Sequence, residues 1–190
     1  MSSFAEKPVF HPRTAGEWEM FLEADPPDEG VRLQLRKKHS TAPGIVYAEA
    51  LDVALCFGWI DGQIGRLDDD YVLQAFTPRR SRSPWSQINR EHVARLEAEG
   101  RMRPSGRAEI ERAKADGRWD AAYRQKDAEV PADFQAALDA VPTAAARFAA
   151  LTGSQRFAYL FRLGNAKRPE TRAKRIAEYV ALLEGGGSLR

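Results

Sequence analysis

The amino-acid sequence predicts an α+β fold in which a small mixed or antiparallel sheet packs on helices and an all-α C-terminal module follows. Residues 31–36 alternate apolar and polar side chains, which indicates a half-buried strand. The acidic run at 68–70 separates two segments of strand character, which indicates a β-hairpin. Beyond residue 130, apolar residues recur at helical spacing. We therefore place the α+β domain at residues 1–125 and the helical module at residues 130–190.

The composition is that of a folded chain without a strong overall charge. Of the 190 residues, 43% are hydrophobic and 29% are charged, and the formal net charge is +2. Such a chain can form a packed core, and any binding of anions must arise from a local cluster of charge. The single cysteine, Cys56, excludes an intramolecular disulfide.

Targeting signals are not visible in the sequence. The first residues lack the basic region and apolar stretch of a signal peptide. Apolar runs are far shorter than the ~20 residues of a membrane-spanning helix. A lone cysteine agrees with a reducing compartment. We therefore expect a cytoplasmic protein without a transmembrane segment.

The elements of the first domain are indicated by caps, periodicity and turn residues. Thr14 and Glu17 form a capping box that begins a helix. Residues 46–57 are apolar almost all round, which indicates a central helix packed on several sides. In chain order we expect an extended piece at 7–11, a helix after Thr14, the strand at 31–36, the helix at 46–57, a tight connection at 58–62 and hairpin strands at 63–67 and 71–77.

The rest of the chain is predicted to be helical. Ser83 suits an N-cap and Pro84 a first helical turn, so a helix is expected from about residue 85 to 99. Its inward residues are expected to be Ile88, Val93 and Leu96. Further helices are expected at 105–116 and 131–140, from Pro142, from a capping box at Thr152 and from Pro169, with a linker at 123–130.

The segment from Phe76 to Arg90 carries four arginines and no acidic residue. Guanidinium groups bind phosphate or carboxylate in a bidentate manner, and the start of the following helix supplies further donors. An aromatic side chain there is able to stack on a base or ring. We interpret the segment as a site for an anionic small molecule or nucleotide, formed by Arg79, Arg80, Arg82, Ser83, Trp85 and Arg90. In the alternative interpretation, the arginines pair with Asp68–Asp70 or Glu49, and Trp85 is a core residue.

Three carboxylates are candidate acids or bases. Glu49 and Asp52 share one face of the central helix with Cys56, and Asp61 follows that helix. They are suited to acid–base chemistry beside a basic subsite. Alternatively, they pair with arginines and hold the helix in place.

Metal and cofactor sites have no support in the sequence. His11, His39 and His92 share no ligand spacing, and a phosphate-binding glycine loop is not recognisable. We therefore expect neither a metal nor another cofactor, and protein partners are not indicated.

The last predicted helix has a basic face. Arg168, Arg172 and Arg175 fall at i, i+4 and i+7, opposite an apolar face. Such a helix is able to bind nucleic acid or an anionic membrane. It also fits a solvated face with Glu170 and Lys174 as an ion pair.

Four segments of the chain resemble the YdeI/OmpD-associated, or bacteriocin-protection, family: residues 47–62, 76–90, 100–104 and 166–176. The resemblance implies protection against bacteriocins or antimicrobial peptides, and an association with an outer-membrane porin. It implies no enzymatic mechanism and so no catalytic residues. The first hypothesis is therefore a non-enzymatic stress or antimicrobial-protection protein that binds an anionic ligand. The others are a nucleic-acid-binding module and an enzyme that uses Glu49, Asp52 or Asp61.

Overall fold

A computed structural model describes residues 3–123 and 128–189. The chain divides into two compact units, residues 1–122 and residues 123–190. Part of the predicted linker, residues 124–127, lies outside the described residues. The strands are β1 (Val9–Phe10), β2 (Val31–Arg36), β3 (Trp59–Arg66) and β4 (Tyr71–Pro78). The helices are α1 (Ala15–Glu23), α2 (Tyr47–Cys56), α3 (Gln87–Ala98), α4 (Pro104–Ala115), α5 (Ala132–Asp139), α6 (Pro142–Ala150), α7 (Gly153–Gly164) and α8 (Pro169–Glu184).

The sheet of the first unit is mixed and, in the described residues, has the strand order β1-β2-β4-β3. β1 runs parallel to β2, whereas β4 is antiparallel to both β2 and β3. Along β2 the buried residues are Val31, Leu33 and Leu35, and those between them are half-buried. The alternation therefore separates a core face from an outer face, and the predicted α+β fold is confirmed.

Helix α2 lies at the centre of the first unit. Six of its ten residues are buried, and it contacts α1, α3, α4 and the sheet. Gly106 in α4 packs directly on the carbonyl oxygen of Cys56, where a β-carbon has no room. This close contact positions α4 against the C-terminal end of α2.

Two predicted boundaries in the first unit are wrong. Residues 59–62 belong to β3, and the turn is made by Phe57 and Gly58, with φ +78° at the glycine. Helix α3 begins two residues later than expected because Ser86, not Ser83, caps it by accepting from the amide of Asn89. Ile88 is consequently 56% exposed instead of facing the core.

The second unit is helical and has its own core. Its largest fully buried side chains are Phe134, Leu138, Tyr159, Leu163 and Leu183. Helix α8 packs on α5, α6 and α7. Over the described part of the chain, every helix is too short or too polar to cross a membrane.

A cationic and aromatic candidate site in the first unit

Arg79 and Trp85 form a buried stack directly after β4. The Arg79 amide donates to the carbonyl of Gly58 (3.0 Å), which continues the β4–β3 pairing by one residue. Its guanidinium carbon lies 3.6 Å from the centroid of the Trp85 ring, and its Nη1 donates to the Pro84 carbonyl (3.1 Å). Arg79 is 4% exposed and Trp85 is 1% exposed. Both candidate ligand residues therefore lie inside the fold, as the alternative interpretation expected for Trp85.

The residues between the stacked pair form a closed turn. The Arg80 amide donates to Ser83 Oγ (3.0 Å), and the Ser83 amide donates to the Arg80 carbonyl (2.9 Å). Arg80 and Arg82 are exposed. Arg82 makes no hydrogen bond or ion pair with any described residue. The turn thus presents Arg82 to solvent, and the buried Arg79–Trp85 stack lies beneath the turn.

A second tryptophan, Trp119, lies beside this turn. Its ring meets Trp85 edge to face, with centroids 4.9 Å apart, and it is half-buried. Arg90 Nη1 donates to the Trp119 carbonyl (3.0 Å), and its guanidinium carbon lies 5.0 Å from the Trp119 ring centroid. Arg118 Nη1 donates to the Ser83 carbonyl (2.9 Å). We call Arg80, Arg82, Arg90, Arg118 and Trp119 the cationic surface.

Part of the charge on this surface is neutralised locally. Arg118 pairs with Asp116 at 2.8 Å, and its hydrogen bond lowers the pKa of that carboxyl. Arg82 and Arg90 have no carboxylate within ion-pair distance in residues 3–123 and 128–189. The surface therefore keeps an excess of positive charge in a chain whose net charge is close to neutral.

Sequence reasoning missed Trp119 and Arg118. They follow α4 after Gly117, whose φ of +80° ends that helix. A glycine at this position is a recognisable stop signal. The sequence alone nevertheless gives no sign that the next two side chains reach back to Ser83 and Trp85.

The acidic turn does not neutralise the arginine cluster. Asp68 accepts from the amides of Asp70 and Tyr71, and Asp70 accepts from the hydroxyl of Ser40 (2.6 Å). Asp69 pairs with Arg66 in the turn itself. The turn carboxylates thus stabilise the hairpin, and their predicted pairing with the cluster is wrong.

The candidate acid–base residues also have local partners. Glu49 accepts from the amide of Val46 (2.9 Å) and so caps its own helix. Asp61 accepts a hydrogen bond from the hydroxyl of Tyr47 (3.0 Å). The pKa of the Tyr47 hydroxyl is raised, mainly by burial and to a smaller extent by the charge of Asp61. The structure brings neither carboxylate to the cationic surface.

Asp52 is the centre of an ion-pair network. Its Oδ1 lies 2.6 Å from Arg95 and 3.4 Å from His92, and its Oδ2 lies 3.7 Å from Arg101. These contacts connect α2 to α3 and to the segment after α3. Nearby, burial raises the pKa of the Cys56 thiol to about 11. The geometry is that of a structural network around α2.

The basic face of α8 is directed mainly at its own unit. Arg172 donates to the carboxylate of Asp133 and to the carbonyl of Leu163 (3.0 Å). Arg175 donates to the carbonyl of Arg162 (2.6 Å). These two arginines satisfy carbonyls at the C-terminal end of α7. Among the described residues, no group of three or more histidine, cysteine or acidic side chains is close enough together to bind a metal ion.

Comparisons with known families divide the chain in the same way as the fold. Residues 127–186 match the model described as bacteriocin-protection, YdeI or OmpD-associated, which confirms the predicted family for the part of the chain that contains residues 166–176. Residues 10–109, just over half of the chain, match the model described as domain of unknown function DUF8412. No curated protein and no solved structure matches significantly. The chain therefore belongs to the DUF8412 family and carries a YdeI/OmpD-associated segment at residues 127–186.

Proposed function

We propose that this protein is a non-enzymatic stress or antimicrobial-peptide (bacteriocin) protection protein that binds an anionic ligand at the cationic surface. The match at residues 127–186 supports the protective role. One observation carries the binding role: Arg82 is exposed and makes no ion pair in the described residues, on a turn that hydrogen bonds between Arg80 and Ser83 close. A cytoplasmic location remains part of the proposal.

The geometry favours a ligand that combines a phosphate or carboxylate with a ring. A guanidinium donates two parallel hydrogen bonds to either anion. A turn that is already ordered loses little conformational entropy on binding. Trp119 is half-exposed beside Arg90, so it takes over the stacking role that the sequence suggested for Trp85. A nucleotide meets all three requirements.

The observed contacts argue against the two other hypotheses. Asp52 is held by Arg95 and Arg101, and Glu49 is used as a helix cap. Carboxylates engaged in this way are poor candidates for proton transfer. On α8, Arg172 and Arg175 hold the end of α7, which reduces the charge available for nucleic acid.

The proposal is tested by titrating the purified chain with pyrophosphate and with AMP, followed by nuclear magnetic resonance and calorimetry. Replacing Arg80 and Arg82 together by Ala should weaken binding by about tenfold or more, since each charged hydrogen bond contributes ~1.5–3 kcal/mol. Arg66→Ala is the matched control, because Arg66 is an exposed arginine on the hairpin turn.

Binding of AMP should exceed binding of pyrophosphate if Trp119 contributes stacking, and Trp119→Leu should remove that difference. A lack of binding by the wild-type chain would overturn the proposal. Equal binding by the wild type and the double variant would place the ligand elsewhere and overturn it as well.

A further inference from the structure

An open groove of about 620 Å³ lies in the second unit, between α5 and α8. Three of its ten lining residues are charged, and the other seven are alanine, isoleucine, valine or proline. On α8, Ala173, Ala177 and Ala181 are exposed, and Ile176 and Val180 are half-buried. The apolar floor of the groove is therefore accessible from solvent.

A carboxylate lies at each end of this face of α8. Glu170, Ala177 and Glu184 recur every seven residues, so they share one side of the helix. The two carboxylates are consequently about 21 Å apart along the helix axis. Glu184 lines the groove, and Glu170 follows Pro169, which also lines it. Both glutamates are exposed, and their side chains make no hydrogen bond or ion pair with any residue that the structure describes.

The other charges of α8 near the groove are engaged in pairs. Arg172 donates two hydrogen bonds to Asp133, and Lys174 lies 3.9 Å from Glu178. Two exposed basic residues at 167–168 precede the helix. The N-terminal end of α8 is therefore less acidic than its C-terminal end.

We propose that this groove binds a cationic amphipathic helix of another polypeptide, in which basic residues about four turns apart flank an apolar face. A helix laid along α8 packs large apolar side chains over the three alanines, whose small side chains leave room for them. Its basic residues then meet Glu170 and Glu184, which have the opposite charge.

A second copy of α8 does not fit the same groove. In an antiparallel pair of these helices centred on Ala177, Glu170 of one copy lies opposite Glu184 of the other. In a parallel pair in register, each glutamate lies opposite itself. Both arrangements bring like charges together, which is unfavourable. The carboxylates at the two ends thus select a basic partner.

A groove for cationic helices gives the protective role proposed above, on which it rests, a binding site for antimicrobial peptides. Amphipathic helices rich in lysine and arginine are a common form of such peptides. The groove also lies inside the segment at residues 127–186 that matches the bacteriocin-protection description. It is separate from the cationic surface, which belongs to the first unit.

The probe is a fluorescent peptide of leucine and lysine with one apolar helical face, about 18 residues long so that it spans both carboxylates. Its binding to the full chain is measured by fluorescence anisotropy. One matched peptide has the same composition in scrambled order, and another has glutamate in place of lysine. The wild-type chain should bind the amphipathic Leu/Lys peptide at least about tenfold more tightly than either of them.

Two pairs of variants locate the effect. Ala177→Lys should abolish the preference, because it places a long cationic side chain on the groove floor. Ala146→Lys is its control, since Ala146 is an exposed helical alanine outside the groove. Glu184→Lys should weaken binding by about threefold or more. Glu111→Lys in α4 changes the net charge equally and should have no effect.

Equal binding of the amphipathic and scrambled peptides by the wild type, or an unchanged preference in Ala177→Lys, would overturn the proposal. A wild-type dimer in light scattering that becomes monomeric in Ala177→Lys would overturn it too, because a second copy would then occupy the groove. AMP binding is measured on the same samples. Binding of AMP without the peptide refutes only the groove, and binding of the peptide without AMP refutes only the anion site.

Discussion

The guanidinium of Arg79 lies 3.6 Å from the ring centroid of Trp85, and this buried stack is the base of the turn at residues 80–83. Arg79, one of the arginines expected to bind an anion, is thus a structural residue. The exposed arginine at residue 82 becomes the candidate for binding. One experiment below tests this division, and three test the packing and charges around α2.

Arg79→Ala should destabilise the first unit by ~2–4 kcal/mol, because it removes a buried stack and a hydrogen bond to Pro84. All four tryptophans lie between residues 18 and 119, so tryptophan fluorescence during denaturant unfolding reports this unit alone. Arg82→Ala is the control and should change stability by less than ~0.5 kcal/mol. Similar effects of the two substitutions would contradict the assignment of Arg79 as structural and of Arg82 as dispensable for stability.

Asp52→Asn should lower the free energy of unfolding of the first unit by ~1–2 kcal/mol, because the charge-assisted bonds to Arg95 and Arg101 are lost. The side chain of Asp52 is 17% exposed, so these bonds are only partly screened. Asp69→Asn serves for comparison, since the Asp69 side chain is 99% exposed. If Asp52→Asn leaves the free energy of unfolding unchanged, the ion pairs do not explain the presence of Asp52, and an acid–base role has to be tested.

Gly106→Ala should cost ~1–3 kcal/mol, because a β-carbon there collides with the backbone of Cys56 and forces α4 away from α2. Gly16→Ala is the matched control, because Gly16 is also helical but has only an ordinary contact with Thr14. That substitution should be neutral or stabilise by ~0.4–1 kcal/mol. Equal results for both glycines would show that α4 is not closely packed on α2.

Stability should fall at alkaline pH partly because of Cys56. Its pKa is raised from 9.0 to about 11 in the folded chain, mainly by burial. Between these values the unfolded chain releases the thiol proton first, so rising pH favours unfolding, whereas below pH ~9 the group has no effect. Comparing the pH slopes of the wild type and Cys56→Ala isolates the contribution, which is at most ~1.4 kcal/mol per pH unit. Identical slopes would contradict the raised pKa.

Local patterns predicted much of the fold. The strand at residues 31–36 was predicted correctly because a period of two is read within one segment. The capped helix starts at Thr14 and Thr152 were also found, since a cap involves residues only three positions apart. The full capping box forms at Thr152, whereas Glu17 accepts from the amide of Arg13 instead of Thr14. The start of α3 was not found, because Ser83 and Ser86 are equally good caps and the burial of Trp85 decides between them.

The candidate site was predicted only in part. The arginine-rich turn was visible in the sequence, but the burial of Arg79 depends on the position of Trp85 in three dimensions. The contribution of Arg118 depends on a contact with Ser83, 35 residues earlier. Contacts over such separations leave no periodic signal, so they become visible only in the fold.

The turn at residues 80–83 has a consequence for engineering. Its backbone is closed by hydrogen bonds between Arg80 and Ser83, and Arg79 stacks on Trp85 beneath it. The side chains at residues 81 and 82 are exposed, so we expect their replacement to change stability little. These two positions can therefore be randomised as a library from which binders of a chosen ligand are selected.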